Sequence, residues 1–173
     1  MYFYFIKMSK WIEGYEDLYK IYPNGDVESY HSKNPKILKN IIDRGGYKKL
    51  GLSKNDKRKS YRIHRLLAIH FIENPNDYPC VDHIDRDKQN NNLNNLRWTT
   101  TSINCRNIKN YGKYMKGVHK NGKRFEAAIT IDKKYKYLGY FDTELEAHQA
   151  YMVEYNKIIK DFTNLQKSQK VNM

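Results

Sequence analysis

Apolar and polar residues alternate over short stretches in the first third of the chain. Across residues 9–60, the segments Pro23-Asn24-Gly25-Asp26 and Gly45-Gly46 separate these stretches. An alternation with a period of two, interrupted by turn residues, predicts short strands. The loop Lys54–Lys59 is strongly basic and is predicted to be a hairpin tip. This region is therefore expected to be β-rich.

The pattern changes in the middle of the chain. Residues 61–64 read as a strand that leads into a short buried helix over Arg65–Phe71, which carries four large apolar side chains. A strand, a long polar loop and a returning strand follow over Val81–His83, Ile84–Asn95 and Leu96–Thr99. Thr100 or Thr101 is a suitable N-cap for a helix that contains Asn104. The prediction is a strand–loop–strand–helix unit.

The last third alternates again and then becomes helical. Three strands are predicted over Gly117–His119, Phe125–Ile131 and Tyr135–Phe141, with a hairpin turn at Asn121-Gly122. Asp142 or Thr143 is predicted to cap a helix that runs to about Lys160. This indicates a three-stranded antiparallel sheet packed on one helix. The fold class is expected to be α+β.

Composition favours several small modules. The mean hydropathy is −0.92 and hydrophobic residues make up 39% of the chain, which leaves little apolar material for one large core. The predicted organisation is a leader at 1–8, modules at 9–60, 61–108 and 116–164, a linker at 109–115 and a tail at 165–173. The leader is expected to be disordered, with Met8 as an alternative start.

Positive charge is concentrated in two blocks. Residues 33–65 contain 12 basic and 2 acidic residues, and residues 106–136 contain 10 basic and 2 acidic residues. Residues 66–105, between them, are mildly acidic. Basic blocks of this kind neutralise phosphates and give sequence-independent affinity for nucleic acid. The alternative is a basic surface that only aids solubility, and it explains the two separate blocks less well.

The cysteine content and the N-terminus indicate the compartment. Two cysteines, Cys80 and Cys105, are too few and too far apart for a zinc cluster, so we expect reduced thiols in a reducing compartment. The apolar N-terminal segment of six residues is too short for a signal peptide or a membrane span. An intracellular protein without a membrane partner is expected.

The central loop region brings together residue types suited to phosphodiester hydrolysis. Asp82 offers hard oxygen atoms to Mg²⁺, and His83 has a side chain whose ordinary pKa suits a general base. Asn104 could complete the metal site, and Asn95 could accept the N–H of His83 and orient the ring. Neighbouring residues on a strand face opposite sides, so the Asp82-His83 pair needs a distorted strand or approaches the phosphate from two directions.

The alternative explanations for these residues are ordinary ones. A lone Asp-His pair is usually a surface or capping feature, and asparagine-rich loops are usually turns. His64 and His70 border an apolar helix and are expected to be core or scaffold histidines. The set Asp82, His83, Asn95 and Asn104, taken together, favours a functional site.

A longer motif carries a family resemblance. The segment Asp82-His83-Ile-Asp-(x)-Asp-Lys-(x)-Asn-Asn-(x)-Leu-(x)-Asn95-Leu-Arg-Trp-(x)-Thr, followed by Asn104, closely resembles HNH endonucleases of the phage-intron and giant-virus type. The resemblance implies a ββα-metal nuclease core at 61–108 that binds one divalent cation, usually Mg²⁺, with Mn²⁺ as a substitute. It implies that Asp82 and Asn104 are metal ligands, that His83 is the general base and that Asn95 orients it.

The flanking segments resemble DNA-binding modules. Trp11-Ile-(x)-Gly-Tyr-Glu-Asp-Leu-Tyr-(x)-Ile-(x)-Pro-Asn-Gly-(x)-Val-(x)-Ser29 resembles the NUMOD-type module found before such nucleases. Gly117-Val-(x)6-Phe125-Glu-Ala-(x)-Ile and Tyr137-Leu-Gly-(x)-Phe-Asp-Thr-Glu-(x)-Glu-Ala-(x)2-Ala150-Tyr are similar to the plant Apetala/ethylene-response-factor domain, which lays a three-stranded sheet in the major groove.

Candidate DNA contacts lie in both basic blocks. The hairpin tip contributes Lys54, Lys57, Arg58 and Lys59. The C-terminal module contributes His119, Lys120, Arg124, Lys134, Lys136 and Tyr137. Arg97 is a candidate for phosphate contact, and a salt bridge is an equally good reading for it.

The resulting hypothesis is a site-specific, metal-dependent homing-type endonuclease. It is expected to act as a monomer on double-stranded DNA and to leave a 5′-phosphate and a 3′-hydroxyl, by a nick or a double-strand break. A non-catalytic DNA-binding regulator on the same scaffold is the alternative, and an RNA-binding maturase is a third reading that the C-terminal resemblance disfavours.

Overall fold

The computed structural model describes residues 8–107, 112–131 and 133–170, with side chains described to residue 164. The chain divides into two compact units, Met1–Asn107 and Ile108–Met173. Each unit is described by itself below. The predicted leader at 1–8 lies outside the described residues except for Met8, and the linker at 109–115 is described only from residue 112 onward.

Within its described residues, 8–107, the first unit has three small antiparallel sheets and two helices. The sheets follow the order β1-β2-β3-β4, β5-β6-β7 and β8-β9. Their strands are β1 (Lys10–Trp11), β2 (Tyr19–Ile21), β3 (Val27–Ser29), β4 (Lys36–Ile37), β5 (Ile41–Ile42), β6 (Lys48–Lys54), β7 (Lys57–Arg62), β8 (Cys80–His83) and β9 (Leu96–Thr99). The helices are α1 (Ile63–Phe71) and α2 (Thr101–Arg106), and a 3-10 turn covers Leu93–Asn95.

One hydrophobic core joins the three sheets and helix α1. Ile21, Val27, Leu52 and Leu67 have no measurable exposure, and Trp98 of β9 belongs to the same cluster at 7% exposure. A two-stranded hairpin cannot bury enough apolar surface to be stable alone, so it must pack on its neighbours. The predicted boundary at residue 60 falls inside β7, and the core cluster has members on both sides of it, from Ile12 to Trp98.

Helix α1 begins earlier than its sequence pattern predicts. The pattern predicts a start at Arg65, after a strand through residue 64, whereas β7 ends at Arg62 and the helix begins at Ile63. Ile63, Leu66 and Leu67 are all buried, and their spacing of three and four residues places them on one helix face. Tertiary burial of Ile63 therefore extends the helix by about half a turn.

The predicted strand–loop–strand–helix unit is confirmed. Strand β8 pairs with β9 in a regular antiparallel register from Cys80↔Thr99 to His83↔Leu96. Thr100 is the N-cap of α2, and its side chain accepts a hydrogen bond from the Ile103 backbone N–H at 3.2 Å.

The second unit is a three-stranded antiparallel sheet with one helix. The strands are β10 (Val118–Asn121), β11 (Arg124–Ile131) and β12 (Lys134–Phe141), and helix α3 covers Glu144–Lys170. Thr143 and Glu146 form a reciprocal capping box, with the Thr143 hydroxyl accepting from the Glu146 N–H at 3.2 Å and the Thr143 N–H donating to Glu146 Oε2 at 3.1 Å.

The C-terminal helix is longer than predicted. The sequence pattern predicts an end near Lys160 and a tail at 165–173, but the backbone is helical through Lys170. The segment from Glu144 contains neither proline nor glycine, so nothing in its backbone chemistry ends the helix. The last three residues lie outside the described part of the chain. No helix within the described residues is long and apolar enough to cross a membrane.

Two glycines with positive φ test the packing of the second unit. Gly117 (φ +80°) lies against the buried ring of Tyr151, and a Cβ there would overlap the ring, whereas Gly122 (φ +60°) has open space around it. We expect Gly122→Ala to cost about 1 kcal/mol from backbone strain alone. Gly117→Ala should cost roughly 3 kcal/mol or more because the ring must move as well. Urea denaturation followed by circular dichroism measures both losses, and equal losses would contradict this packing.

Candidate functional site

Asp82 and His83 lie at the end of β8 with both side chains buried. Their residue exposures are 6% and 4%. The strand register is regular at this point, so the distortion considered above is not present. The two side chains have different partners: Asp82 contacts β9 and the end of α2, and His83 contacts α1 and the residue before β6. The side chains of Asp82 and His83 therefore contact different parts of the unit.

The carboxylate of Asp82 is surrounded by donors. Arg97, directly opposite on β9, donates from Nε at 3.0 Å and from Nη2 at 2.8 Å, both to Oδ2. Asn107 Nδ2 lies 3.0 Å from each carboxylate oxygen and also donates to the backbone oxygen of His83 at 2.8 Å. Of the two readings open for Arg97, the structure has the salt bridge. Asn107 was not identified from the sequence.

The imidazole of His83 is held by Asn91. Asn91 Oδ1 lies 3.0 Å from His83 Nε2. An amide oxygen only accepts hydrogen bonds, so Nε2 is the donor in this contact. The sequence pattern predicts this contact for Asn95, and the structure gives it to a different member of the same asparagine run. The run contains several asparagines at adjacent positions, and only the loop conformation decides which one reaches the ring.

Asn95 instead closes the loop between the two strands. Its Oδ1 accepts from the Asp85 N–H at 3.1 Å, and its Nδ2 donates to Asp85 Oδ1 at 2.9 Å and to the Asn90 backbone oxygen at 2.8 Å. Its backbone oxygen accepts from the Ile84 N–H at 2.9 Å. These bonds fix the residues that follow His83. The Asn95 side chain thus contacts Asp85 and Asn90, whereas the contact with the His83 ring is made by Asn91.

The side-chain amides of this loop lower the pKa of the Asp85 carboxyl. Hydrogen bonds from the side chains of Asn90 and then Asn95 hold the pKa of Asp85 below its ordinary value, because they stabilise the charged form. The polar loop is thus organised around one carboxylate rather than being a featureless turn.

His64 lies against His83, and its place in the site carries no sequence signal. The ring centroids of the two histidines are 4.9 Å apart at 61°, and Tyr47 packs on His64 at 4.9 Å and on His83 at 6.0 Å. Burial lowers the pKa of His64 to about 3, so this ring is neutral at physiological pH. The expectation of a buried histidine is confirmed. Its position beside His83 follows from the packing of α1.

Asn104 lies on α2, the helix that supplies the second side of the Asp82 surroundings. Its backbone N–H donates to the Thr100 oxygen at 3.0 Å. Residues three apart share a helix face, which places Asn104 on the face of Asn107, the residue that contacts Asp82.

The donor set fits a hard cation with few protein ligands. A carboxylate and an amide oxygen are ligands that Mg²⁺ uses, with water and substrate phosphate completing its coordination. Among the described residues, no group of three or more His, Cys, Asp or Glu side chains is arranged to hold a metal ion. A closed structural metal centre is therefore not found there. An open site based on Asp82 and Asn104 is compatible with these residues.

The basic side chains of the β6–β7 hairpin tip lie on two opposite faces of the hairpin. Lys57 and Lys59 are exposed and, with Lys54, line a cleft of about 480 Å³ between the β6–β7 hairpin and the β1–β2 turn. Arg58 is exposed on the opposite face, where its guanidinium lies over Gly51. Lys54 donates to the Gly14 backbone oxygen at 2.7 Å, so its charge is partly used within the protein.

The candidate DNA contacts of the C-terminal sheet also lie on two faces, and three of them are on the face that packs on the helix. Lys136 pairs with Glu154 of α3 at 2.7 Å, and Lys120 lies over the ring of Phe125, which packs towards the helix. Lys134 shares the face of Lys136 because strand residues alternate.

The other three candidates are on the outer face of this sheet. The cross-strand pair His119↔Glu126 and its neighbour Glu126↔Tyr140 place His119 there, with Arg124 and Tyr137. Tyr137 packs edge-on against Tyr140 with centroids 5.5 Å apart, and the Arg124 guanidinium lies over Tyr140. Arg124 also forms an exposed ion pair with Asp142 at 3.2 Å. Of the six predicted contacts, three therefore share one continuous surface.

Comparison with known proteins gives three informative similarities. Over 101 residues the chain is 44% identical to the DNA endonuclease I-HmuI of Bacillus phage SP01, a match that covers 58% of this chain and 57% of that protein. Over 79 residues it is 48% identical to the uncharacterized HNH endonuclease L245 of Acanthamoeba polyphaga mimivirus, covering 46% of this chain and 24% of that protein. The chain thus spans a little over half of one relative and a quarter of the other.

A solved structure agrees over a larger share of the chain. That structure, described as DNA binding and cleavage by the HNH homing endonuclease I-HmuI, matches with a TM-score of 0.53 and 34% identity. The match covers 78% of each chain. No family model matches the sequence.

The role of Asn95 in the loop can be measured directly. We expect Asn95→Ala to raise the pKa of Asp85 towards its ordinary value of 3.8, because a hydrogen bond to the charged carboxylate is removed. In the wild type the lowered pKa of Asp85 stabilises the fold at pH values above the pKa of this carboxyl in the unfolded chain. This contribution is lost as the pH falls through its pKa in the folded protein. NMR titration of the Asp85 carboxyl carbon measures the shift. Asn92→Ala is the matched control, and an Asp85 pKa that is unchanged in Asn95→Ala would refute this role.

Proposed function

Since this chain belongs to the HNH homing endonuclease family, we propose that it is a site-specific DNA endonuclease that requires a divalent metal ion. The observation that carries the proposal is the arrangement at the end of β8. A buried histidine with one ring nitrogen fixed by an amide lies next to a buried carboxylate. Relatives from a bacterial phage and a giant virus suggest that the protein acts inside an infected cell.

His83 is the general base in this proposal. Asn91 Oδ1 accepts a hydrogen bond from Nε2, and Nδ1 is the ring nitrogen that would take a proton from the attacking water. His64 and Tyr47 pack on the same ring and restrict its rotation. A fixed base is effective because orientation is provided before the reaction begins.

Asp82 and Asn104 are the proposed ligands of one Mg²⁺ ion, with Mn²⁺ as a substitute. The ion would supply charge stabilisation at the scissile phosphate and at the leaving oxygen. In the structure, Asn107 donates to both oxygens of the Asp82 carboxylate, and Arg97 donates to Oδ2. The proposed products are a 5′-phosphate and a 3′-hydroxyl, by a nick or a double-strand break.

Double-stranded DNA is the proposed substrate, bound by one copy of the chain. Exposed cations at the β6–β7 hairpin tip, Lys57, Arg58 and Lys59, are positioned to contact phosphates from both faces of the hairpin. On the outer face of the C-terminal sheet, Tyr137 and Arg124 combine an aromatic surface with positive charge. These two surfaces account for affinity, whereas β8 and α2 account for chemistry.

A non-catalytic DNA-binding regulator is the second candidate, and one observation favours it. Both oxygens of Asp82 already have protein donors, as in a carboxylate that has only a structural role. The two candidates differ in whether DNA is cut, so one assay separates them.

His83→Ala is the decisive variant. Without its general base the protein should cleave DNA about 100-fold more slowly or worse, since a positioned base contributes about 10²–10⁴-fold. DNA affinity should stay within a few fold, because His83 is buried and is not one of the exposed cations of the hairpin tip. The assay is cleavage, with Mg²⁺, of a plasmid that carries the locus around the gene without the insertion, scored for nicked and linear product.

His31→Ala is the control for this experiment, because His31 contacts Tyr19 and lies in the β1–β4 sheet region. It should cleave at the wild-type rate. Wild-type protein that binds this plasmid but cuts no DNA with Mg²⁺ or Mn²⁺ would support the regulator instead.

The hairpin tip determines how binding depends on salt. Removing Lys57, Arg58 and Lys59 together should reduce the slope of log affinity against log salt by about 0.9 for each phosphate that the variant no longer neutralises. Fluorescence anisotropy at several salt concentrations measures the slope. Lys157→Ala/Lys160→Ala removes exposed charge from α3 and is the control for net charge. An unchanged slope in the hairpin variant would exclude this surface from the DNA interface.

A further inference from the structure

Among the described residues, Arg97 is the cation that contacts the Asp82 carboxylate. Two guanidinium nitrogens of Arg97 donate to Oδ2 at 3.0 and 2.8 Å. The side chains of Arg97 and Asp82 are 14% and 7% exposed, so both charges are largely removed from water. A carboxylate buried to this degree needs a counter-charge, and removing one partner of such a pair is strongly destabilising.

The position of Arg97 is fixed by the strand pairing. Asp82 and Arg97 are directly opposite each other in the β8–β9 register, where side chains of paired residues lie on the same face. Asn107, at the end of α2, completes the surroundings of the carboxylate with a neutral amide that contacts both oxygens. The guanidinium therefore supplies the positive charge at this carboxylate.

We propose that Arg97 is the resident counter-cation of Asp82, and that a divalent cation binds this carboxylate only in competition with the guanidinium. The inference rests on the proposed function, in which Asp82 is a metal ligand. Its physical basis is that Arg97 and a metal ion would both draw on the negative charge of this one carboxylate, and that two positive charges at hydrogen-bond distance from it repel each other.

The competition has two consequences for the protein. The fold around β8 and β9 does not depend on metal, because Arg97 neutralises the carboxylate when no metal is bound. The affinity of the site for metal is lowered by the same contact. Arg97 thus sets the metal concentration at which the site is loaded, and it acts as a positioning residue for Asp82.

The opposing possibility is that Arg97 only organises Asp82 for the metal. In that case the guanidinium and the metal ion would share the carboxylate, and removing Arg97 would weaken metal binding. The two possibilities predict opposite signs for one measurable quantity, the dissociation constant of the metal.

Mn²⁺ binding without DNA is the test. Titration followed by electron paramagnetic resonance gives the dissociation constant for the wild type, Arg97→Met, Arg97→Lys and Asp82→Asn. We expect Arg97→Met to bind Mn²⁺ about tenfold more tightly, since a competing charge-assisted hydrogen-bond pair is removed. Arg97→Lys should lie between it and the wild type, and Asp82→Asn should lose this site.

A second Arg–Asp pair in the same unit provides a matched control. Arg62 Nε lies 2.8 Å from Asp43 Oδ2, so this pair has its own carboxylate. Arg62→Met should leave the Mn²⁺ dissociation constant within about twofold of the wild type, because it removes an arginine of the same kind without freeing Asp82. Equal or weaker binding by Arg97→Met than by the wild type overturns the proposal, and so does Mn²⁺ binding that Asp82→Asn leaves intact.

A measurement on the wild type keeps the proposal testable if Arg97→Met does not fold. The NMR resonance of the Arg97 Nε–H should shift during a titration with Mg²⁺, because its hydrogen bond to Asp82 is broken. The midpoint of this shift should coincide with the midpoint of metal binding. A resonance that stays constant while metal binds at Asp82 overturns the proposal. Neither experiment contains DNA, so the inference and the proposed function can fail separately. If Arg97 and metal compete but the protein cuts no DNA, only the proposed function is refuted. If the protein cuts DNA but Arg97 and metal do not compete, only this inference is refuted.

Discussion

The first unit depends on the packing of the two-stranded β8–β9 hairpin into a core that is formed mainly by other elements. Val81, Leu96 and Trp98 of β8 and β9 pack in the same cluster as Leu52 of β6 and Leu67 of α1. A hairpin of four-residue strands has too little apolar surface to be stable by itself. Docking on the preceding sheet and helix therefore supports the backbone at Asp82 and His83, and the contacts of His83 with His64 and Tyr47 follow from it.

The same docking connects the site to the β5–β6 turn. Tyr47 lies against both His64 and His83, and Lys88 from the polar loop lies over the Tyr47 ring and donates to the Gly45 backbone oxygen at 2.9 Å. The strands that lead to the basic hairpin and the loop that follows His83 are thus parts of one packed assembly. The DNA contact proposed at β6–β7 and the chemistry proposed at β8 would share this support.

At Asp82 the needs of stability and of chemistry differ. Stability favours a carboxylate that is saturated with donors, as provided by Arg97 and Asn107. Metal-assisted catalysis favours a carboxylate that can accept a metal ion. A competing guanidinium meets both needs, because it neutralises Asp82 without metal and can be exchanged for a metal ion.

The sequence by itself predicted most of the elements and the residue types of the candidate site. The alternation of apolar residues, the turn residues and the Thr100 cap predict the β8–β9–α2 unit and the three-stranded C-terminal sheet, because these signals are local. The motif from Asp82 to Asn104 predicts the family. Only the tertiary structure decided that residues 12–98 share one core, that Asn91 rather than Asn95 holds His83, and that Arg97, Asn107 and His64 surround the pair. Those contacts depend on how distant segments pack, and a run of similar asparagines or a single buried histidine carries no local sign of its partner.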